Sequence, residues 1–169
     1  GLIKELFEGE HETALFYFSG HGFLNEIDGY IVTSDCQQND EGVSMGTILT
    51  LANNSKIKNK IIILDCCKSG KFGSSELLKD DCSLIKNGVT ILTASTEKQD
   101  AIEINGHGVF TSLLIQAIQG GASDLRGAIT PGSVYAYVDQ ALGPWSQRPV
   151  FKTNVSEFIT LRSITPPIP

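Results

Sequence analysis

The chain of 169 residues lacks a long apolar run, a strong net charge and a recognisable cysteine framework. No apolar run approaches the roughly 18 residues that a membrane span needs, so no membrane partner is expected. A net charge of −6 argues against a nucleic-acid partner. These absences favour a cytoplasmic protein. Because 169 residues are too few for two ordinary domains, we expect one domain over residues 1–162 and a short tail over residues 163–169.

The cysteines have neither the density nor the spacing of a disulfide framework. Two of them, Cys66 and Cys67, are adjacent, and a bridge between them would be strained. No C-x2-C or H-x3-H spacing supports zinc, so no metal site is expected. We therefore expect all the thiols to be reduced: Cys36, Cys66, Cys67 and Cys82.

Strand-like and helix-like segments alternate along the chain. Apolar runs bounded by turn residues predict strands over Ala14–Ser19, Tyr30–Thr33, Lys60–Asp65, Val89–Ala94, Pro149–Lys152 and Glu157–Leu161. Helical spacing predicts helices over Ser44–Asn54, Glu76–Lys86, Phe110–Gln119 and Thr130–Leu142, with a glycine break at Gly120-Gly121. This alternation predicts an α/β fold in three layers. The chain reaches a central-looking strand by Ala14 without an earlier β-α-β pass, so we also expect further N-terminal elements of the fold.

Two of the predicted strands end in reactive side chains. The first ends in Ser19-Gly20-His21-Gly22 and the second in Asp65-Cys66-Cys67-Lys68-Ser69-Gly70. Parallel sheets present catalytic groups at the carboxyl ends of their strands. Positions 21 and 67 are 46 residues apart, which leaves room for a helical crossover between adjacent strands. The two segments are therefore predicted to meet at one edge of the sheet.

Alternation along a strand assigns the side chains of these segments to faces. Ser19 and His21 share a face, as do Asp65 and Cys67, whereas Cys66 points the other way and is expected in the core. A free cysteine is only about 3% thiolate at pH 7, so a nucleophilic Cys67 needs a base nearby. His21 is the candidate base because its flanking glycines leave the ring unshielded.

The chain has two other histidines, and Asp65 has two interpretations. His107 also lies in a Gly-His-Gly triplet, in a predicted loop, and is the alternative base, whereas His11 precedes its strand and lies at the wrong end. A buried carboxylate at Asp65 loses hydration unless something pairs with it. It is either a cap that accepts backbone N–H bonds or the floor of a pocket for a cationic side chain, to which Ser19 adds a hydrogen bond.

The two motifs resemble the signatures of the caspase-like cysteine peptidases, family C14, and of the metacaspase and orthocaspase branch in particular. Ile91–Glu97, Ala101–Glu103 and Gly108–Thr111 are similar to the substrate-binding strand of that family and the helix after it. The resemblance implies a caspase-hemoglobinase fold with a mostly parallel central sheet flanked by helices. It also implies a cysteine endopeptidase that acts through a thioester on a protein or peptide substrate.

Carried over by position, the resemblance implies a role for each site residue. Cys67 is the nucleophile and His21 the general base. The N–H groups of Gly22 and Cys67 form the oxyanion hole. The remaining residues are implied in substrate binding: Ser19 and Asp65 line an S1 pocket for arginine or lysine, and Ala94 and Ser95 lie beside the bound peptide.

Departures from the family pattern affect specificity and cofactors. Cleavage after aspartate would need an arginine-lined pocket, and no motif places Arg126, Arg148 or Arg162 in one. The stretch after the nucleophile, Lys71–Ser75, lacks the acidic residue on which calcium activation depends in many metacaspases. No cofactor is therefore expected to be required, and calcium activation stays an alternative. The acidic residues that could contribute to it lack ordered ligand spacing: Asp35, Asp40, Glu41, Asp80 and Asp81.

Two further hypotheses concern the whole protein. A caspase-like domain without proteolysis, acting as an interaction module of a larger signalling protein, is the alternative function. Its partners would be other domains or a missing N-terminal segment of the same protein. A basic-P1 enzyme could also cut itself after Lys71, Lys79 or Lys86, although Lys79 and Lys86 also fit a solvated helix face.

Overall fold

A four-stranded central sheet organises the computed structural model, which describes residues 1–25, 28–34, 42–66, 85–94, 103–104, 107–143 and 148–165. The first three strands of the sheet are parallel and the fourth is antiparallel to the third. In spatial order they are β1 (Thr13–Gly20), β5 (Asn59–Cys66), β6 (Val89–Thr93) and β10 (Val150–Asn154). The predicted α/β class with a mostly parallel sheet is confirmed.

The position of each strand explains its residue pattern. β5 lies between two neighbours and has helices on both faces, so its residues from Lys60 to Cys66 are all buried. β1 lies at the edge of the described sheet, and only one of its faces packs into a core. Its Phe16 and Phe18 pack against one core, whereas Leu15 and Tyr17 on the other face are 44% and 40% exposed.

Helices form a layer on each face of the sheet. One core joins the sheet to α1 (Leu2–Glu8) and α2 (Met45–Asn54). The other core joins it to α3 (Val109–Gln116) and α4 (Pro131–Leu142). None of the helices that the structure describes is long and apolar enough to cross a membrane.

Local signals place the helix boundaries as predicted. The Ser44 hydroxyl accepts a hydrogen bond from the N–H of Thr47 at the start of α2. Thr130 and Ser133 form a reciprocal capping box at the start of α4. α3 continues into a π-helical turn over Ala117–Gly121, where Gly120 has a φ of 142°. Because that φ favours glycine, the predicted break at Gly120-Gly121 is confirmed.

Short antiparallel strands join the main elements. β2 (Gly22–Leu24), β3 (Gly29–Ile31) and β4 (Val43–Ser44) form one small sheet. A hairpin of β7 (Glu103–Ile104) and β8 (His107–Gly108) precedes α3. Near the C-terminus β11 (Arg162–Ser163) pairs with β9 (Ala128–Ile129).

Two sequence predictions concern the segment around β11. The strand predicted over Glu157–Leu161 is wrong, because Ile159 and Leu161 pack onto the α4 side of the sheet and strand pairing begins only at Arg162. The fold extends into the predicted tail, since Ile164 donates its N–H to the carbonyl of Gly127. Residues 76–84 of the helix predicted over Glu76–Lys86 lie outside the described residues.

Candidate active site

The register of β1 and β5 brings the two predicted motifs to one edge of the sheet. Ser19 lies opposite Asp65 and Gly20 lies opposite Cys66 in this parallel pair. Neighbouring strands are about 4.8 Å apart, so the chain leaves both strands at adjacent points. His21 follows Gly20 directly, and Cys67, which lies outside the described residues, follows Cys66 directly. The predicted base and the predicted nucleophile thus come directly after the ends of two neighbouring strands in the sequence.

The faces of the strands agree with the predicted alternation. Cys66 is buried in the core on the α1 and α2 side, and the prediction of a core cysteine at this position is confirmed. Asp65 points to the opposite face of β5, toward α3. Ser19 and His21 are both exposed. His11 precedes β1 at the opposite, amino end of the strand, as expected.

The small sheet after β1 fixes the backbone of His21. The carbonyl oxygen of His21 accepts a hydrogen bond from the N–H of Val32 at 2.9 Å. Gly22, the predicted oxyanion-hole donor, begins β2 and pairs with Ile31. The position of the predicted base therefore depends on how the β2–β3 hairpin is held.

Asp28 holds that hairpin, and sequence reasoning missed it. Its side chain is buried, and its Oδ1 accepts from the N–H of Gly29 at 2.7 Å. Its Oδ2 accepts from the N–H of Gly46 at 3.0 Å and from the Ser44 hydroxyl. A Cβ at Gly46 would lie 2.7 Å from this oxygen, so a side chain there would displace the carboxylate. The carboxylate joins the hairpin to the first turn of α2, and the Asp28-Gly29 pair was the available sequence signal.

Asp65 makes the contacts that its cap interpretation predicts. The side chain is 4% exposed, and its Oδ2 accepts hydrogen bonds from the N–H of Thr111 at 3.2 Å and from the Thr111 hydroxyl. Because Thr111 lies in the first turn of α3, the carboxylate caps that helix and faces its positive end. A Cβ at Gly108 would collide with the same oxygen. The pocket role of Asp65 stays a prediction.

The other predicted site residues lie around this edge. The Ala94 side chain is buried in the core on the α3 and α4 side, and its N–H donates to the carbonyl of Leu64 at 2.8 Å. Ser95 lies outside the described residues. His107, the alternative base, belongs to β8, so its predicted loop is a short strand. The side chain of His107 is likewise outside the description.

Two of the three arginines considered for an aspartate pocket have other side-chain partners, and the third, Arg126, is exposed. Arg148 lies 3.4 Å from Asp139 of α4, and Nη1 of Arg162 donates to the carbonyl of Ile118 at 3.1 Å. The backbone N–H of Arg126 donates to Asp124 at 2.8 Å. No group of three metal-ligating side chains occurs among the described residues. The acidic residues considered for calcium lie outside them.

Comparison with known proteins identifies the family. The sequence model of the caspase domain, peptidase C14, matches residues 2–158, which is most of the chain. The chain belongs to the caspase domain family. The resemblance predicted from its two motifs is thereby confirmed, and membership indicates a function of the cysteine peptidase type.

A solved structure has a fold similar to that of this caspase domain. The crystal structure of a protein from Geobacter sulfurreducens matches it with a TM-score of 0.66 and 14% sequence identity. The match covers 98% of this chain and 76% of that chain, which shows a shared fold. No curated protein matches the sequence.

Proposed function

We propose that this caspase domain is a cysteine endopeptidase that cleaves after arginine or lysine, with Cys67 as nucleophile and His21 as general base. The register that places Ser19 opposite Asp65 and Gly20 opposite Cys66 carries the proposal. It makes the two catalytic positions the next residues of neighbouring strands. Burial of Cys66 on the α1 and α2 side adds support, because alternation then assigns the next thiol to the opposite face, which carries Asp65.

The reaction follows from the chemistry of these two groups. His21 takes the proton of the Cys67 thiol, and the sulfur attacks the scissile carbonyl carbon. The N–H groups of Gly22 and Cys67 stabilise the oxyanion, and loss of one such donor costs about 10²- to 10³-fold in rate. The imidazolium protonates the leaving amine, and a thioester forms. Water, deprotonated by His21, then hydrolyses the thioester and restores the thiol. A reduced thiol suits the cytoplasmic location predicted from the sequence.

Charge at the edge of the sheet supports basic specificity. Asp65 is a buried carboxylate on the face of β5 that alternation assigns to the predicted nucleophile. A cationic P1 side chain would pair with it, whereas a P1 aspartate would bring two like charges together at a cost of several kcal/mol. The exposed Ser19 lies directly opposite and supplies a further hydroxyl.

Two cysteine variants of the whole chain test the proposal. Cys67→Ala should abolish cleavage of peptides with arginine or lysine at P1, whereas Cys66→Ala, at a buried neighbour, should leave turnover per folded molecule within a few-fold. A basic-P1 activity probe should label wild type at Cys67 by mass mapping. Turnover that survives in Cys67→Ala would refute the proposed nucleophile. A folded wild type that neither reacts with the probe nor cleaves would favour the interaction module.

The P1 assignment has its own test. Asp65→Asn keeps the shape of the side chain and removes its charge. Loss of a buried charge pair costs about 2 kcal/mol or more, so kcat/KM for arginine or lysine substrates should fall at least about 30-fold. Labelling of Cys67 by iodoacetamide should persist. Undiminished cleavage after basic residues would contradict the pocket role of Asp65.

A further inference from the structure

Three side chains from three elements form a chain of hydrogen bonds that ends at Asp65. The Thr111 hydroxyl donates to Oδ2 of Asp65, and the N–H of Thr111 donates to the same oxygen at 3.2 Å. Tyr17 Oη lies 2.7 Å from Thr111 Oγ1. Since the hydroxyl proton of Thr111 is directed to the carboxylate, Tyr17 is the donor in that second bond. The chain therefore has one direction, from Tyr17 through Thr111 to Asp65.

This arrangement fixes the plane of the carboxylate. The terminal torsion of an aspartate is broad, so an unrestrained carboxylate samples a range of orientations. Two donors from one residue hold Oδ2 against α3. Gly108 makes the close approach possible, because a Cβ there would collide with that oxygen.

The outer end of the chain of hydrogen bonds lies beside the expected path of a substrate side chain. Tyr17 is 40% exposed and lies two residues before Ser19 on the same face of β1. Ser19 in turn lies opposite Asp65. Tyr17 holds the Thr111 hydroxyl from the side that faces solvent.

We propose that Thr111, held by Tyr17, is the positioning residue that orients Asp65 and makes the enzyme prefer arginine over lysine at P1. This inference rests on the proposed function. A guanidinium is planar and its N–H donors point in fixed directions, so it gains most from an acceptor oxygen held in one place, which is Oδ1 because both Thr111 bonds go to Oδ2. An ammonium is a compact charge with rotatable donors and tolerates a carboxylate that has turned.

The test compares two peptides that differ only in arginine or lysine at P1. Thr111→Val keeps the shape and the backbone N–H but removes the hydroxyl. We expect kcat/KM to fall about 10-fold for the arginine peptide, mainly through KM, and less than about 3-fold for the lysine peptide. Thr111→Ser, which keeps the hydroxyl, should restore the wild-type ratio.

Two more variants separate positioning from stability. Tyr17→Phe removes one exposed phenol oxygen and should shift the arginine-to-lysine ratio in the same direction by about 2- to 3-fold. Thr90→Val is the matched control, because Thr90 is a buried threonine whose hydroxyl bonds Thr153 at 2.8 Å, away from the site. It should leave the ratio unchanged.

Each outcome decides a different claim. If Thr111→Val leaves the arginine-to-lysine ratio of kcat/KM unchanged, the positioning role is overturned and the proposed peptidase activity is not. Wild type that cleaves neither peptide overturns the proposed function together with this inference. If Thr111→Val fails to fold, the ratio of Tyr17→Phe decides, and a wild-type ratio in that variant overturns the proposal.

Discussion

The buried carboxylate of Asp28 offers a sharp test of how the predicted base is held. Asp28→Asn keeps the volume of the side chain but replaces one acceptor oxygen by an amide donor. The carboxylate accepts from the N–H groups of Gly29 and Gly46 and from the Ser44 hydroxyl. Either orientation of the amide directs N–H atoms at a backbone donor. At least one buried N–H therefore loses its acceptor.

The cost follows from that count. A buried donor without a partner costs about 1–3 kcal/mol, and we expect a loss of about 2 kcal/mol in the free energy of unfolding. For a domain of this size each kcal/mol shifts Tm by about 2–4 °C, which gives about 4–8 °C. The assay is thermal unfolding by circular dichroism. Asp124→Asn is the matched control, because Asp124 is exposed and its Oδ1 accepts from Arg126 and Ala128 in a local turn that asparagine also supports.

The activity of Asp28→Asn is the second measurement. The N–H of Val32, in the chain that follows Asp28, bonds the carbonyl of His21. We expect Asp28→Asn to lower kcat severalfold at temperatures where the protein is folded, with Asp124→Asn unchanged. A Tm shift no larger than that of the control would refute the reasoning that Asp28 anchors the hairpin.

Three further predictions concern other parts of the chain. Gly108→Ala should displace Asp65 from α3, because the new Cβ would collide with its carboxylate, and should lower Tm by several degrees. A Tm equal to that of wild type would contradict this. Burial lowers the pKa of Lys60 below its ordinary value of 10.5, so the folded state binds fewer protons and stability should rise with pH between the folded pKa and 10.5. Urea unfolding of Lys60→Met should show a smaller rise, whereas Lys4→Met, at an exposed residue, should match wild type. Lys86→Ala should leave any self-cleavage pattern by intact mass unchanged, because the Lys86 N–H donates to Asn53 and its carbonyl accepts from Val89. A protease needs an extended chain, so a fragment that disappears in this variant would contradict the expectation.

The sequence was sufficient wherever a structural signal is local or repeats along a strand. The continuous apolar runs of β5 and β6 predicted central strands because both faces of these strands are covered. The caps Ser44 and Thr130 act within one helical turn, so their spacing is readable. The same pattern failed over Glu157–Leu161, because alternating apolar residues can also pack onto a core in an extended segment with little strand pairing.

Contacts between distant segments could not be predicted from the sequence. Asp65 and Thr111 are 46 residues apart, and their bond depends on how α3 docks against the sheet. Tyr17 joins them from a third element, 94 residues away from Thr111. Neither separation carries a periodic signal, so no pattern along the chain predicts these bonds. Pleat alternation does predict which face Asp65 uses, and that part of the site was available beforehand.

Asp28 and Asp65 solve the same physical problem in the segments that carry the two predicted catalytic positions. Asp65 is a buried carboxylate in β5, which leads to the predicted nucleophile, and Asp28 is a buried carboxylate in the hairpin that follows the predicted base. Each accepts from the first turn of a helix distant in sequence. A helix start has N–H groups without partners in the helix, and a buried carboxylate needs donors. Pairing the two satisfies both and joins the segment that carries each carboxylate to a helix. Because these hydrogen bonds run to α2 on one face of the sheet and to α3 on the other, the predicted base and the Asp65 carboxylate are held by separate layers. Loss of either set of hydrogen bonds should therefore affect catalysis and P1 recognition independently, and the double variant Asp28→Asn with Thr111→Val should show additive effects on log kcat/KM.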